Sequence, residues 1–257
     1  MLEPILEDTR RRIDRLPPLD VLRERARTAS PVRGFAGALA GPGLSVVAEV
    51  KRRSPSRGEL ASDLDPVERA GRYAAGGAAA ISVLTEPHHF SGSDDDLVGA
   101  RKASGIPVLR KDFTLDERQI WEARAIGADA VLLIVAVLDD ERLTALLGAA
   151  AEAGIDALVE VHSTQEAERA LEAGAEIVGV NNRDLGTFEV DLATSERIAP
   201  MLEGVPVRVA ESGIFDASDG RRMADAGFDA VLVGEALVRA ADPEALIRSL
   251  RGDVTDG

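Results

Sequence analysis

Four charged side chains in the sequence have the chemistry of proton donors and acceptors: Glu49, Lys51, Lys111 and Glu160. Each one closes or follows a short apolar run of the kind that forms a buried strand. A carboxylate can accept a proton and an ammonium group can donate one, so the set is suited to general acid–base catalysis. The alternative is a buried network of ion pairs that only stabilises the fold.

Lysine is rare in this chain. Of 30 basic residues only three are lysines, namely Lys51, Lys102 and Lys111. An ammonium group, unlike a guanidinium, can give up its proton, so the lysines at strand ends are candidates for catalysis. Lys102 lies on a predicted helix and is expected at the surface. Two ammonium groups in one site would depress each other's pKa, so we expect a lowered pKa for Lys111.

Two glycine turns have the composition of an anion-binding site. Ser212-Gly213 and Gly234-Glu235 each follow an apolar run and lead into a predicted helix. Glycine lets backbone N–H groups approach phosphate oxygens, and the start of a helix favours negative charge. Further candidates for contacts with a phosphate are Ser54, Ser56 and Arg183. The sequence therefore predicts a small phosphorylated ligand.

Eight apolar runs, spaced about 20 to 35 residues apart, are predicted to form the strands that position these residues. Amphipathic stretches between them predict helices. Five runs follow a glycine that suits the left-handed position after a helix, namely Gly77, Gly127, Gly154, Gly174 and Gly227. The predicted strands are Val46–Val50, Ala79–Leu84, Pro107–Arg110, Ala130–Val135, Ala157–Val161, Ile177–Asn181, Val205–Ala210 and Ala230–Gly234.

This alternation predicts an α/β fold, a (β/α)8 TIM barrel with its active site at the C-terminal ends of the strands. A doubly wound open sheet is the alternative, but no glycine-rich phosphate fingerprint follows the first predicted strand. Residues 1–45 contain two helical patterns and are expected to form an N-terminal helical extension packed on a barrel of residues 46–252, or else a mobile arm. Alternation along the first strand directs Glu49 and Lys51 into the barrel mouth.

The composition excludes several classes of protein. The chain has 257 residues, a net charge of −15 and no cysteine, which excludes disulfides and thiolate chemistry and disfavours nucleic acid or an anionic membrane as partner. No apolar run reaches the roughly 20 residues that span a bilayer, so we expect a cytoplasmic protein. His88 and His89 are adjacent and His162 lacks companion ligands, so no metal site is expected.

Taken together, the motifs resemble the indole-3-glycerol-phosphate synthase family, which closes the indole ring in tryptophan biosynthesis. The resemblance covers residues 2 to 250 approximately. It rests on Glu49–Gly58, Ser82–Glu86, Phe90–Ser93, Leu109–Phe113, Ala128–Ile134, Glu160–His162, Gly179–Leu185 and Ala210–Ile214.

The resemblance implies conversion of 1-(2-carboxyphenylamino)-1-deoxyribulose 5-phosphate to indole-3-glycerol phosphate, with loss of carbon dioxide and water and with no cofactor. In the family pattern Lys111 would be the general acid that protonates the substrate ketone, and Glu160 would be its partner carboxylate. Glu49 and Lys51 would serve the later dehydration and orient the substrate.

The family pattern also implies roles for the remaining site residues. Asn181 and Glu211 would hydrogen-bond in the site, and Phe113 and Leu132 would wall the aromatic ring. Pro55 would lie in the mobile loop after the first strand. The phosphate would be held by Ser54, Arg183, Ser212, Gly213, Gly234 and the backbone of Glu235.

One position departs from the family pattern. Many relatives have a small hydroxyl residue where Glu235 stands, and a carboxylate aimed at a phosphate would repel it. We therefore expect the Glu235 side chain to point away from the phosphate.

Two other functions fit the same fold. In its family pattern, phosphoribosylanthranilate isomerase uses a cysteine as base, and this chain has no cysteine. A non-catalytic phosphate-binding barrel would have no use for the Lys111–Glu160 pair. The expected partner is a small phosphorylated substrate, bound by a monomer or weak homo-oligomer.

Overall fold

The computed structural model describes residues 2–54, 58–61 and 64–253. Eight parallel strands close into a barrel in the order β1-β8-β7-β6-β5-β4-β3-β2, which confirms the predicted (β/α)8 fold and rules out the open sheet. The ends of the strands differ from the predicted ends by at most two residues. The strands are β1 (Ser45–Val50), β2 (Ala80–Leu84), β3 (Val108–Lys111), β4 (Ala130–Ile134), β5 (Asp156–Val161), β6 (Ile177–Asn181), β7 (Val207–Glu211) and β8 (Ala230–Val233).

Helices precede the barrel and connect its strands. Short 3-10 turns follow β4 and α9, and a two-residue antiparallel pair, Arg53–Ser54 with Gly58–Glu59, follows β1. The described helices are α1 (Leu2–Ile13), α2 (Leu19–Arg27), α3 (Phe35–Leu39), α4 (Pro66–Ala75), α5 (Asp94–Ser104), α6 (Glu117–Ile126), α7 (Asp140–Ala153), α8 (Thr164–Glu172), α9 (Ala193–Ile198), α10 (Ala217–Asp225), α11 (Glu235–Arg239) and α12 (Pro243–Arg251).

Local sequence explains where many of these helices begin and end. Asp116 caps α6 in a capping box with Gln119, and Ser163 caps α8 by accepting a hydrogen bond from Glu166 N. The five glycines predicted to end helices all adopt positive φ, between 71° and 94°. They allow the chain to leave each helix and enter the next strand.

Two apolar layers stabilise the barrel. Inside the barrel, Val47 of β1 packs with alternate residues of other strands, while Val46 and Ala48 pack outward against the helices. The N-terminal end of the barrel is closed by α3, whose Phe35 and Leu39 are 0% exposed. This short helix was not predicted. The interior is therefore filled at the N-terminal end and open at the other.

The first two helices contact the outside of the barrel. Arg12 of α1 makes a bidentate ion pair with Asp112, directly after β3, at 2.9 and 2.7 Å. On α2, the Arg23 guanidinium lies 5.0 Å from the centroid of the buried Trp121 ring of α6. Among the described residues, no helix is long and apolar enough to cross a membrane.

Candidate active site

A cavity opens at the C-terminal ends of the strands, where the sequence predicts the site. The structure brings together every predicted site residue whose side chain it describes. Ser54 is described by its backbone alone, and Pro55 and Ser56 lie outside the described residues. The predicted residues that line the cavity are Glu49, Lys51, Lys111, Phe113, Leu132, Glu160, Asn181, Arg183, Glu211, Ser212, Gly213, Gly234 and Glu235.

Lys111 lies at the centre of the charged part of the cavity. Its Nζ is 3.1 Å from Glu160 Oε2 and 3.3 Å from Glu211 Oε2. The two glutamates come from the ends of β5 and β7, and both side chains are almost fully buried. Gly179 on β6, the strand between them, leaves the space that Glu211 occupies, because a Cβ there would collide with its carboxylate.

The pKa of Lys111 differs from the prediction. Burial lowers it, but the carboxylates of Glu160, Glu211 and Glu49 together raise the Lys111 pKa above its ordinary value. The predicted lowering was wrong because it considered the neighbouring ammonium group and not the glutamates. Lys111 is therefore held in its protonated form at neutral pH.

The two glutamates beside Lys111 have opposite pKa shifts. Burial raises the pKa of Glu160, but Lys111 and His162 outweigh burial and lower it. Burial also raises the pKa of Glu211; Lys111 opposes that change, while the charges of Glu160 and Glu49 add to it. The pair therefore offers one firmly ionised carboxylate and one that is readily protonated.

A second ion pair, between Glu49 and Lys51, lies at the end of β1. Both side chains face the cavity, as the alternation along β1 predicts. Gly234, after β8, permits this arrangement because a Cβ on that residue would collide with the Glu49 carboxylate. The cavity thus contains two lysine–glutamate groups, and the charge of Glu49 also acts on Lys111.

His162 was missed as a functional candidate. It was considered only as a metal ligand, but its ring lies between two carboxylates, with Nε2 3.3 Å from Glu160 Oε1 and Nδ1 3.1 Å from Glu166 Oε2. Burial lowers its pKa, and the two glutamates raise it, to a net value of about 10. The imidazolium therefore contacts one oxygen of Glu160 while Lys111 contacts the other. A histidine two residues after a strand-end glutamate was the available signal.

The proposed phosphate side of the cavity is formed by the turns after β7 and β8. Ser212 and Gly213 both have positive φ, 65° and 82°. Glu235 begins α11 and forms an ion pair with Arg239 at 3.1 Å, one helical turn further on. Part of the Glu235 charge is thus compensated within its own helix.

Apolar residues that were not predicted complete the wall. Leu2 and Ile5 of α1 line the cavity, so the N-terminal helix forms part of the site. Phe90 also lines it, with its ring centroid 6.4 Å from that of Phe113. Phe215 lies at the rim and is 48% exposed. An aromatic group entering the cavity would meet these side chains.

A family model described as indole-3-glycerol phosphate synthase matches residues 2–250. The chain belongs to the indole-3-glycerol phosphate synthase family. It is 53% identical to indole-3-glycerol phosphate synthase 2 of Streptomyces coelicolor, over 90% of each chain. It is 51% identical to the indole-3-glycerol phosphate synthase of Mycolicibacterium smegmatis, over 97% of this chain and 93% of that protein.

Two solved structures resemble this member of the indole-3-glycerol phosphate synthase family at low sequence identity, so they support its fold alone. A 3-hexulose-6-phosphate synthase matches with a TM-score of 0.62 at 21% identity, over 83% of this chain and 100% of the other. Orotidine 5'-phosphate decarboxylase from Pyrococcus horikoshii matches with a TM-score of 0.60 at 16% identity, over 81% of this chain and 98% of the other.

Proposed function

We propose that the chain is an indole-3-glycerol-phosphate synthase that uses Lys111 as the general acid of ring closure. It converts 1-(2-carboxyphenylamino)-1-deoxyribulose 5-phosphate to indole-3-glycerol phosphate, with loss of carbon dioxide and water. Family membership supports the reaction. The single observation that carries the role of Lys111 is its position in the cavity, 3.1 Å from Glu160 and 3.3 Å from Glu211.

Ring closure needs a proton donor at the substrate ketone. The ring carbon that bears the carboxylate attacks the ketone carbon, and negative charge develops on the ketone oxygen. A protonated lysine can neutralise that charge by giving up its proton. Glu160, held ionised by Lys111 and His162, keeps the ammonium group in place. Loss of carbon dioxide then restores the aromatic ring.

Dehydration needs a second set of groups. A proton must reach the departing hydroxyl, and another must leave the neighbouring carbon. Glu49 and Lys51 supply a base and an acid that are separate from the Lys111 group. Asn181, whose Oδ1 accepts a hydrogen bond from Arg183 N at 3.1 Å, lines the same cavity and is proposed to orient the substrate.

The aromatic end and the phosphate end of the substrate are proposed to contact different parts of the cavity. The aromatic ring is proposed to lie against Phe113 and Leu132, and the phosphate against Arg183 and the Ser212-Gly213 turn. The backbone N–H groups after β7 and β8 are suited to phosphate oxygens. Ser54, Gly234 and the backbone of Glu235 complete the proposed phosphate contacts.

The setting of the enzyme is part of the proposal. We place the reaction in the cytoplasm, which the absence of cysteine supports. The chain is proposed to act as a monomer or weak homo-oligomer. Residues 1–45 are proposed as an extension of a barrel that spans residues 46–252, and its contribution to the cavity through Leu2 and Ile5 supports this description.

The decisive experiment measures indole formation by fluorescence after adding the carboxyphenylamino substrate. Wild type should turn over, and Lys111→Ala should reduce kcat by roughly 100-fold or more, as loss of a general acid does. Lys102→Ala is the matched control, because Lys102 is an exposed lysine on α5 outside the cavity. Wild type without turnover would contradict the proposed function, and an unchanged kcat in Lys111→Ala would remove Lys111 from its role.

A further inference from the structure

Asn182 follows the strand-end residue Asn181 and differs from it in its surroundings. It is 2% exposed and does not line the cavity. Its Oδ1 accepts hydrogen bonds from Ser195 N at 3.0 Å and from Ser195 Oγ at 2.8 Å. Its Nδ2 donates to the carbonyl oxygen of Ser212 at 3.2 Å. The side chain therefore links α9 to the turn after β7.

The turn that Asn182 contacts has an unfavourable backbone. Ser212 has φ 65°, a left-handed conformation that costs free energy for any residue with a Cβ. Gly213 follows with φ 82°, and a Cβ there would collide with Val190 and come too close to Leu192. Such a conformation persists only where surrounding groups hold it.

We propose that Asn182 is a positioning residue for the substrate phosphate, which it serves by holding Ser212 in the left-handed conformation. The inference rests on the proposed function, because Ser212 and Gly213 are proposed phosphate contacts. Two successive residues with positive φ make N–H groups available to an anion only while the turn keeps this shape. The hydrogen bond to the Ser212 carbonyl fixes the peptide that joins the two residues.

Asparagine is the residue type that this position requires. The two Ser195 donors need an acceptor, and the Ser212 carbonyl needs a donor. A separate backbone hydrogen bond, from Asn182 N to Glu211 O at 2.9 Å, already joins the ends of β6 and β7. The side chain is thus not needed to pair the strands, and its bond acts on the turn beyond them.

A double-mutant cycle tests the inference. Asn182→Ala should raise KM for the substrate and Kd for inorganic phosphate about ten-fold and leave kcat within about two-fold, because the chemical groups are untouched. In a Ser212→Gly background, Asn182→Ala should raise KM by less than about three-fold, because glycine adopts the left-handed conformation without strain. The comparison is made within each background, so loss of the Ser212 hydroxyl cancels.

Ser195→Ala is the matched control, since it removes one bond to Asn182 Oδ1 and keeps the bond from Ser195 N. Its KM should stay within about two-fold of wild type. Asn182→Ala leaves the Ser195 hydroxyl without its acceptor, and this could make the variant fold poorly. In that case the same cycle in the Ser195→Ala background, which lacks the hydroxyl, tests the role of Asn182.

The inference would be overturned if Asn182→Ala raised KM by the same factor in the wild-type and Ser212→Gly backgrounds. A fall in kcat at unchanged KM would also overturn it. If wild type does not turn over the substrate, the proposed function fails, and the Kd for inorganic phosphate alone decides the role of Asn182. If wild type turns over and Asn182→Ala matches it in both KM and phosphate Kd, the inference alone fails. Wild type that binds neither ligand overturns both.

Discussion

The charge of His162 depends on two neighbouring carboxylates. Its two ring nitrogens lie within 3.3 Å of Glu160 and Glu166, and its pKa is raised to about 10. An unfolded histidine has a pKa near 6.5, so folding stabilises the protonated ring. This stabilisation is fully present below about pH 6.5 and is lost as pH rises through about 10.

We therefore expect His162→Asn to be less stable than wild type, and the difference to shrink at high pH. Each pKa unit corresponds to about 1.4 kcal/mol, so the difference in unfolding free energy should fall by at least about that amount between pH 6 and pH 10. Urea unfolding at both pH values measures it. His88→Asn is the control, because His88 is exposed. A pH-independent difference for His162→Asn would show that the ring is held by packing alone.

The sequence predicted which residues meet in the site better than it predicted their charge states. Strand alternation and strand ends were enough to place Glu49 and Lys111 in one cavity. The pKa of Lys111 was predicted wrongly because it depends on the distances to Glu160 and Glu211, which no spacing along the chain reveals. His162 was missed for the same reason, since its partner Glu166 comes from the next helix.

At the scale of elements, an ion pair with a buried carboxylate attaches α1 to the site. Arg12 binds both oxygens of Asp112, whose side chain is 2% exposed and directly follows Lys111 in sequence. The same helix contributes Leu2 and Ile5 to the cavity wall. The ion pair therefore connects the position of α1 with the strand end that carries the proposed acid.

We expect Arg12→Met to lower the free energy of unfolding by about 3–5 kcal/mol, because it removes the bidentate partner of the buried Asp112 carboxylate. It should also raise KM, since the wall formed by α1 loosens. Arg10→Met is the control: its partner Glu3 is 68% exposed, and such pairs contribute about 0.2–1 kcal/mol. Urea unfolding and steady-state kinetics measure both. Equal effects of the two substitutions would mean that α1 is not held by Arg12.

Element prediction succeeded where local signals were strong and failed where packing decides. The glycines at helix ends and the capping Asp and Ser residues marked the boundaries of the βα units. The five-residue helix α3 carries no such signal, because Phe35-Ala-Gly-Ala-Leu39 is too short to be helical on its own. It is helical because Phe35 and Leu39 pack into the N-terminal end of the barrel interior.

For the molecule as a whole, the two ends of the barrel are expected to differ in what they contribute. The N-terminal end is closed by Phe35, buried at 0% exposure among interior residues such as Val47 and Leu109. The C-terminal end is the cavity, with Phe215 at its rim. In barrels of this kind the N-terminal end contributes stability and the C-terminal end contributes catalysis.

Two substitutions of the same type at opposite ends test this separation. Phe35→Ala should lower the free energy of unfolding by about 3–5 kcal/mol, through lost burial and the cavity left behind, with kcat and KM unchanged in the folded fraction. Phe215→Ala removes a side chain that is 48% exposed, so it should change stability by about 0.5 kcal/mol or less and raise KM. Denaturant unfolding and indole fluorescence on the same preparations measure both quantities. Phe35 packs in the same interior cluster as Leu109, which lies on β3, the strand that also carries Lys111. A change in KM for Phe35→Ala would therefore mean that packing at the closed end affects the position of the site residues through β3.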